Sequence, residues 1–255
     1  MRKTVLRALG LAGIVILVAA GSAYALRIQV GNVVINTDGG FTPTALPKHG
    51  FAPIKVFGHG KLSTADGSLP PTLKQLTFWF DKHGAVETRG LPVCSQRRLI
   101  ATTTAQARKN CSGSIVGTGF GEAVVNFPEQ APIAANSPLT LFNAPPIHGN
   151  PAVYAHAYTT VGGPSTYIIS VEIQRVHDGR YGFKTVANIP KIVNGYGTPL
   201  SGRLSIGKTW QYKGKTLSYI SAGCPDGHLQ AKVQANFKDG TFLQGTLTKP
   251  CQAIK

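Results

Sequence analysis

Leu229-Gln-Ala-Lys-Val-Gln-Ala-Asn-Phe-Lys-Asp-Gly-Thr-Phe-Leu-Gln-Gly-Thr-Leu-Thr248 is the stretch that decides the fold class. Leu229, Ala231, Val233, Ala235 and Phe237 alternate with Gln230, Lys232, Gln234, Asn236 and Lys238. That is the period of two of a strand with one buried and one wet face. Lys238-Asp239-Gly240 follows, a loop with glycine at the left-handed position. It pairs Ala235 with Leu243 and Ala231 with Leu247, so the apolar sets of the two strands coincide.

Outward from this hairpin the chain is cut into short runs by 30 glycines and 17 prolines, the punctuation of turns. Further hairpin signals stand at Asp81-Lys-His-Gly84, Asp178-Gly179 and Lys213-Gly214. Strands are expected at Ile54 to Leu62, Leu73 to Phe80, Ser114 to Phe127 and Arg203 to Tyr212. A hairpin closed at Gly162 to Ser165 sets Tyr154 opposite Ile173, His156 opposite Val171 and Tyr158 opposite Ile169. These six form one buried face, with Glu172 and Gln174 on the wet one. Helix is scarce: Thr103 or Thr104 caps a single turn or two through Asn110 into Cys111. The expectation is an all-β protein, an antiparallel β-sandwich with one short helix between Cys94 and Cys111.

Residues 1–25 read as a cleavable leader. Arg2, Lys3 and Arg7 precede an uncharged run from Ala8 to Leu26, and Ala23-Tyr24-Ala25 places small residues at −3 and −1 of a cut after Ala25,. An uncleaved N-terminal membrane anchor is the alternative. Export gives a secreted, extracellular or cell-envelope location, with no transmembrane segment after cleavage. Residues 26–52 read as an N-terminal extended segment and 53–255 as one β domain. Within it the Pro-rich stretch 128–151 is a crossover, carrying Leu139 to Phe142 as an edge strand.

The four cysteines, Cys94, Cys111, Cys224 and Cys251, imply two disulfides in an oxidising compartment. Three connectivities are open, and sequence proximity favours Cys94 with Cys111 and Cys224 with Cys251. No Cys-x-x-Cys pair argues for zinc.

Leu73-Lys-Gln-Leu-Thr-Phe-Trp-Phe-Asp-Lys-His-Gly84, Gly90-Leu-Pro-Val-Cys94, the Thr104-Ala-Gln-Ala107 segment, Cys111 and Val116-Gly-Thr-Gly119 resemble a group of secreted, β-rich actinobacterial proteins. The resemblance covers about half of the exported chain and implies export and disulfides, with no catalytic residue to carry over.

Chemistry-bearing motifs are sparse. Asp38, Asp66, Asp178, Asp226 and Asp239 each precede a glycine and Asp81 lies three before Gly84, a pattern that assigns all six aspartates to turns. Glu87, Glu122, Glu129 and Glu172 show no pairing of the kind a glycosidase needs. The seven histidines form no metal-binding spacing,. No Gly-x-Ser-x-Gly occurs. Gly117-Thr-Gly-Phe-Gly121 is followed by strand rather than helix, which argues against a phosphate cradle. No cofactor and no metal site is expected, and a non-catalytic role is favoured.

What remains is charge. After the leader, 23 Lys and Arg face 10 acids, a formal +13. The local maximum is Arg97, Arg98, Arg108 and Lys109 around the first cysteine pair, in a window without an acid. Lys208, Lys213 and Lys215 form a second group. The reading is a non-catalytic binding or envelope-associated protein docking anionic polymer or lipid headgroups through this patch. The alternative is a secreted hydrolase whose site is assembled from separate strands. Nucleic acid is disfavoured because no aromatic platform is interleaved with the charges.

Overall fold

The structure, a computed structural model, describes residues 25–255; the leader expected over 1–25 lies outside them but for Ala25. Among the described residues no helix is long and apolar enough to cross a membrane.

Twelve strands carry the architecture: β1 (Leu26–Val30), β2 (Val33–Thr42), β3 (Lys55–Thr64), β4 (Leu73–Asp81), β5 (Ile115–Val125), β6 (Ser137–Ile147), β7 (Asn150–Thr159), β8 (Ser165–Asp178), β9 (Tyr181–Asn188), β10 (Gly197–Ile206), β11 (His228–Phe237) and β12 (Phe242–Pro250). They pair in the order β1-β2-β3-β10-β5-β6-β7-β8-β9-β4-β11-β12, every neighbour antiparallel. The all-β, antiparallel character is thus as expected, with one α-helix, α1 (Thr104–Asn110), between Cys94 and Cys111.

Opposite parts of one continuous sheet curl into contact, so the layers of a sandwich are here the walls of a nearly closed barrel. At the seam, β1 lies against β12 without a hydrogen-bonded ladder. A Cβ on Gly245 would stand 2.5 Å from Leu26 Cδ2 and 2.6 Å from Ile28 Cδ1. Nearby, Val33 and Leu62 from one end of the sheet pack on Ala235, Phe237 and Leu243 from the other. Residues 26–52, expected as an extended segment outside the β domain, instead supply β1 and β2, and β2 pairs with β3 over ten positions.

The β11–β12 hairpin has the expected register, with Ala235 opposite Leu243 and Ala231 opposite Leu247, and Gly240 at φ 90°. The β7–β8 register differs from expectation. Thr159 pairs with Ser165, so Tyr154 faces Ser170, His156 faces Ile168 and Tyr158 faces Thr166. The offset is three residues, an odd number, which puts Ile169, Val171 and Ile173 on the opposite face from Tyr154, His156 and Tyr158. The cause is burial on both sides. Val153 and Ile173 join the inner core with Phe183 and Leu141, whereas Ala152 and Tyr154 pack outward against Leu99, Ala107 and the Cys94–Cys111 bridge.

The Pro-rich stretch is corrected too. Leu139 to Phe142 is no edge: β6 pairs with β5 on one side and β7 on the other. Its prolines sit where ladder donors are dispensable. Pro145 and Pro146 occupy the irregularity between Ala144 and Ile147. Before Pro138, the Ser137 hydroxyl accepts from Tyr158 N at 3.0 Å and donates to Tyr158 O at 2.9 Å, standing in for the ladder. The strand expected from Arg203 to Tyr212 breaks after Ile206. Thr209–Tyr212 and Lys215–Ser218 form a separate hairpin whose Trp210, with the buried Tyr219, plugs the inner face.

Candidate functional site

Residues 88–114 leave the sheet between β4 and β5; Leu91 packs into the inner core, and Cys94 to Cys111 lie over the outer face of β6 and β7. Local sequence builds α1. The Thr103 hydroxyl accepts from Gln106 N and the Gln106 side chain accepts from Thr103 N at 2.9 Å, a capping box,. A 3-10 turn, Gln96–Arg98, precedes it. The bridge Cys94–Cys111 joins the two, as expected, and Cys224–Cys251 is the second disulfide.

Buried polar side chains of the sheet bind this excursion down, as buried polar groups must be satisfied. The Asn143 side-chain amide donates to the carbonyls of Pro92 (3.1 Å) and Leu91 (3.4 Å), and the Asn143 backbone carbonyl accepts from Cys94 N at 2.8 Å. Thr140 accepts from Arg108 Nε at 2.9 Å. His156 lies under Thr102, whose carbonyl also accepts from the Thr166 hydroxyl at 2.9 Å.

The four expected patch residues are placed together by these ties. Arg97 and Arg98 are exposed on the 3-10 turn, and Arg108 and Lys109 are exposed at the end of α1. Asn110 donates to the Arg98 carbonyl at 3.1 Å, which sets the two basic pairs side by side. Arg108 has a divided role, because its Nε is spent on Thr140.

Lys208 of the second basic group, separate in sequence, touches the same excursion. Lys208 Nζ donates to the Gly113 carbonyl, and burial lowers the Lys208 pKa. Trp210 Nε1 donates to the Arg89 carbonyl at 2.9 Å, and the Tyr212 ring fills the space a Cβ would need at Gly90. No acid lies between Glu87 and Glu122. Glu87 itself is bound to Arg89 at 2.8 Å, and that guanidinium lowers its pKa. Linear sequence could not show this junction, since Lys208 and Gly113 are 95 residues apart.

The carboxylates are committed elsewhere. Asp81, 5% exposed, accepts from Arg180 Nε at 2.6 Å and from Gln230 N at 2.9 Å. Arg180 also binds Asp226 and holds its pKa down at about 2. Glu172 lies on the outer face of β8, part-buried there: it accepts from Asn150 at 2.7 Å and Gln174 at 3.1 Å, and the Asn150 bond leads in lowering its pKa. Asp38 is no turn residue. It sits within β2 opposite His59 and pairs with Lys249 at 2.5 Å. Among the described residues no group of three or more His, Cys, Asp or Glu could hold a metal ion.

An aromatic flanked by lysines also escaped the sequence reading. On the outer face of β9, β4 and β11, Lys232 Nζ stands 4.2 Å and Lys184 Nζ 5.4 Å from the Trp79 ring centre. Trp79 is buried beneath them. No family model, curated protein or solved structure matches the chain.

Proposed function

We propose that this chain is an exported, non-catalytic, envelope-associated binding protein that docks anionic surfaces through Arg97, Arg98, Arg108 and Lys109, with Lys208 at the margin of the patch. The observation that carries the reading is an acid-free excursion, closed on itself by the Cys94–Cys111 disulfide and tied to the sheet through Asn143 and Thr140, that presents two adjacent basic pairs to solvent. Opposite charge raises the local concentration of such a polyanionic partner.

A secreted hydrolase is the alternative, and the commitment of Asp81, Asp226, Glu87 and Glu172 to structural partners weighs against it. Sedimentation with anionic vesicles and with a soluble polyanion, across a salt series, tests the docking role. Wild-type binding should decline with salt, because exposed charges are screened over about 8 Å at physiological ionic strength. Neutral substitution of Arg97, Arg98 and Lys109, sparing the structural Arg108, should weaken it. Absent binding, or equal and salt-insensitive binding by both proteins, overturns the proposal.

A further inference from the structure

We infer that the surface met by the basic excursion is a lipid bilayer with anionic headgroups, into which Ile100 inserts; this rests on the docking role proposed above.

Ile100 follows Arg97 and Arg98 directly after the buried Leu99, and it is 55% exposed, among the most exposed large apolar side chains of the described residues. Its backbone is held, not loose. Ile100 N donates to Gln96 O at 3.0 Å, and the Thr102 hydroxyl donates to Leu99 O at 2.6 Å. The next residue, Ala101, takes φ 54°, a left-handed conformation that non-glycine residues adopt only where neighbours impose it. Val93, beside the first cysteine of the bridge, is 48% exposed on the same excursion. Leu99 and Ala107 point the other way, into the core over Phe142 and Tyr154.

Cations around a protruding apolar side chain are the chemistry of an interfacial membrane contact. The apolar group enters the boundary between headgroups and acyl chains while the cations stay at the phosphates. Each Lys or Arg near an anionic bilayer is worth about fivefold in affinity. A full Ile burial adds about tenfold or more. A soluble polyanion supplies the first term and has no apolar phase to receive Ile100.

The test uses exported protein with both disulfides intact, vesicles of phosphatidylglycerol and phosphatidylcholine, pure phosphatidylcholine vesicles, and dextran sulfate as the lipid-free polyanion. Ile100→Ser should weaken binding to anionic vesicles about tenfold and leave dextran sulfate binding unchanged, while Ile100→Trp should tighten the vesicle complex. Circular dichroism should show both variants folded, since the side chain is exposed. If Ile100→Ser binds both probes as wild type does, or weakens both equally, the bilayer inference falls. Loss of both probes in the Arg97, Arg98, Lys109 variant would then still sustain docking to a polymer. No wild-type binding to either probe ends both readings.

Discussion

His156 Nε2 lies 3.1 Å from the Thr102 hydroxyl oxygen and 3.2 Å from the Thr102 carbonyl, in a site closed to solvent. Because that hydroxyl donates to Leu99 O, both contacts are acceptors, which assigns the proton to Nε2. His156 Nδ1 has no partner. The ring's edge neighbour is Phe142, and Thr140, paired with His156 on the neighbouring strand, carries the Arg108 guanidinium. This pairing ties the apex of the excursion to the sheet.

Burial holds the His156 pKa below its usual range. The unfolded imidazole, at about 6.5, therefore binds more protons than the folded one, and its stabilising contribution is complete above that pH and lost as pH falls. The unfolding free energy from urea titrations should drop between pH 7.5 and 5.5 in wild type, by at most about 1.4 kcal/mol per pH unit. His156→Gln should flatten this decline. An equal decline in both proteins sinks the assignment.

Arg108 and Arg97 should separate in a stability assay although both look alike in sequence. Arg108→Ala leaves the buried Thr140 hydroxyl without its donor and should cost about 1–2 kcal/mol. Arg97→Ala, on the exposed turn, should change stability by less than about 0.5 kcal/mol. Denaturant titrations that rank the two equally would remove Arg108 from its structural role.

Arg180 neutralises Asp81 in a nearly closed site. Arg180→Ala strands that carboxylate, and breaking a buried pair costs about 3 kcal/mol or more. Asp226 is the exposed arm of the same cluster. Its folded pKa of about 2 lies under the unfolded value near 3.8. Its contribution is therefore present above about pH 3.8 and fades toward pH 2. Asp226→Asn should remove that acid-side slope with a much smaller loss at neutral pH. The combined thermal denaturation and acid titration would contradict the scheme if Arg180→Ala proved neutral.

Gly245 seals the barrel by having no side chain. Gly245→Val would drive methyl groups into Leu26 and Ile28, and overpacking of this kind costs about 1–3 kcal/mol. A companion change, Leu26→Ala with Ile28→Ala, should recover part of the loss by making room. Wild-type stability for the single variant would mean that β1 is not packed on β12.

Features that depend on neighbours along the chain were readable from the residues alone. The β11–β12 register was legible because one face is wet and Gly240 closes a tight turn. Thr103 capped α1 through Gln106, three residues away. Each cysteine found the nearest candidate. Alternation reports a face only when the other meets water, so it failed at β7, where Ala152, Val153 and Tyr154 are buried in succession. β6 hid among prolines for a related reason: its ladder is completed by Ser137 and by an irregularity at Pro145, both set by partners elsewhere. In the candidate site, the excess of positive charge was visible in composition, and so were its four residues. Only tertiary structure decided that Lys208 meets Gly113, that Arg108 turns to Thr140, and that Ile100 stands outside while Leu99 is buried. Which side of a loop faces solvent is set by what the sheet offers beneath it, here His156, Thr140 and Phe142, and those residues lie far along the chain.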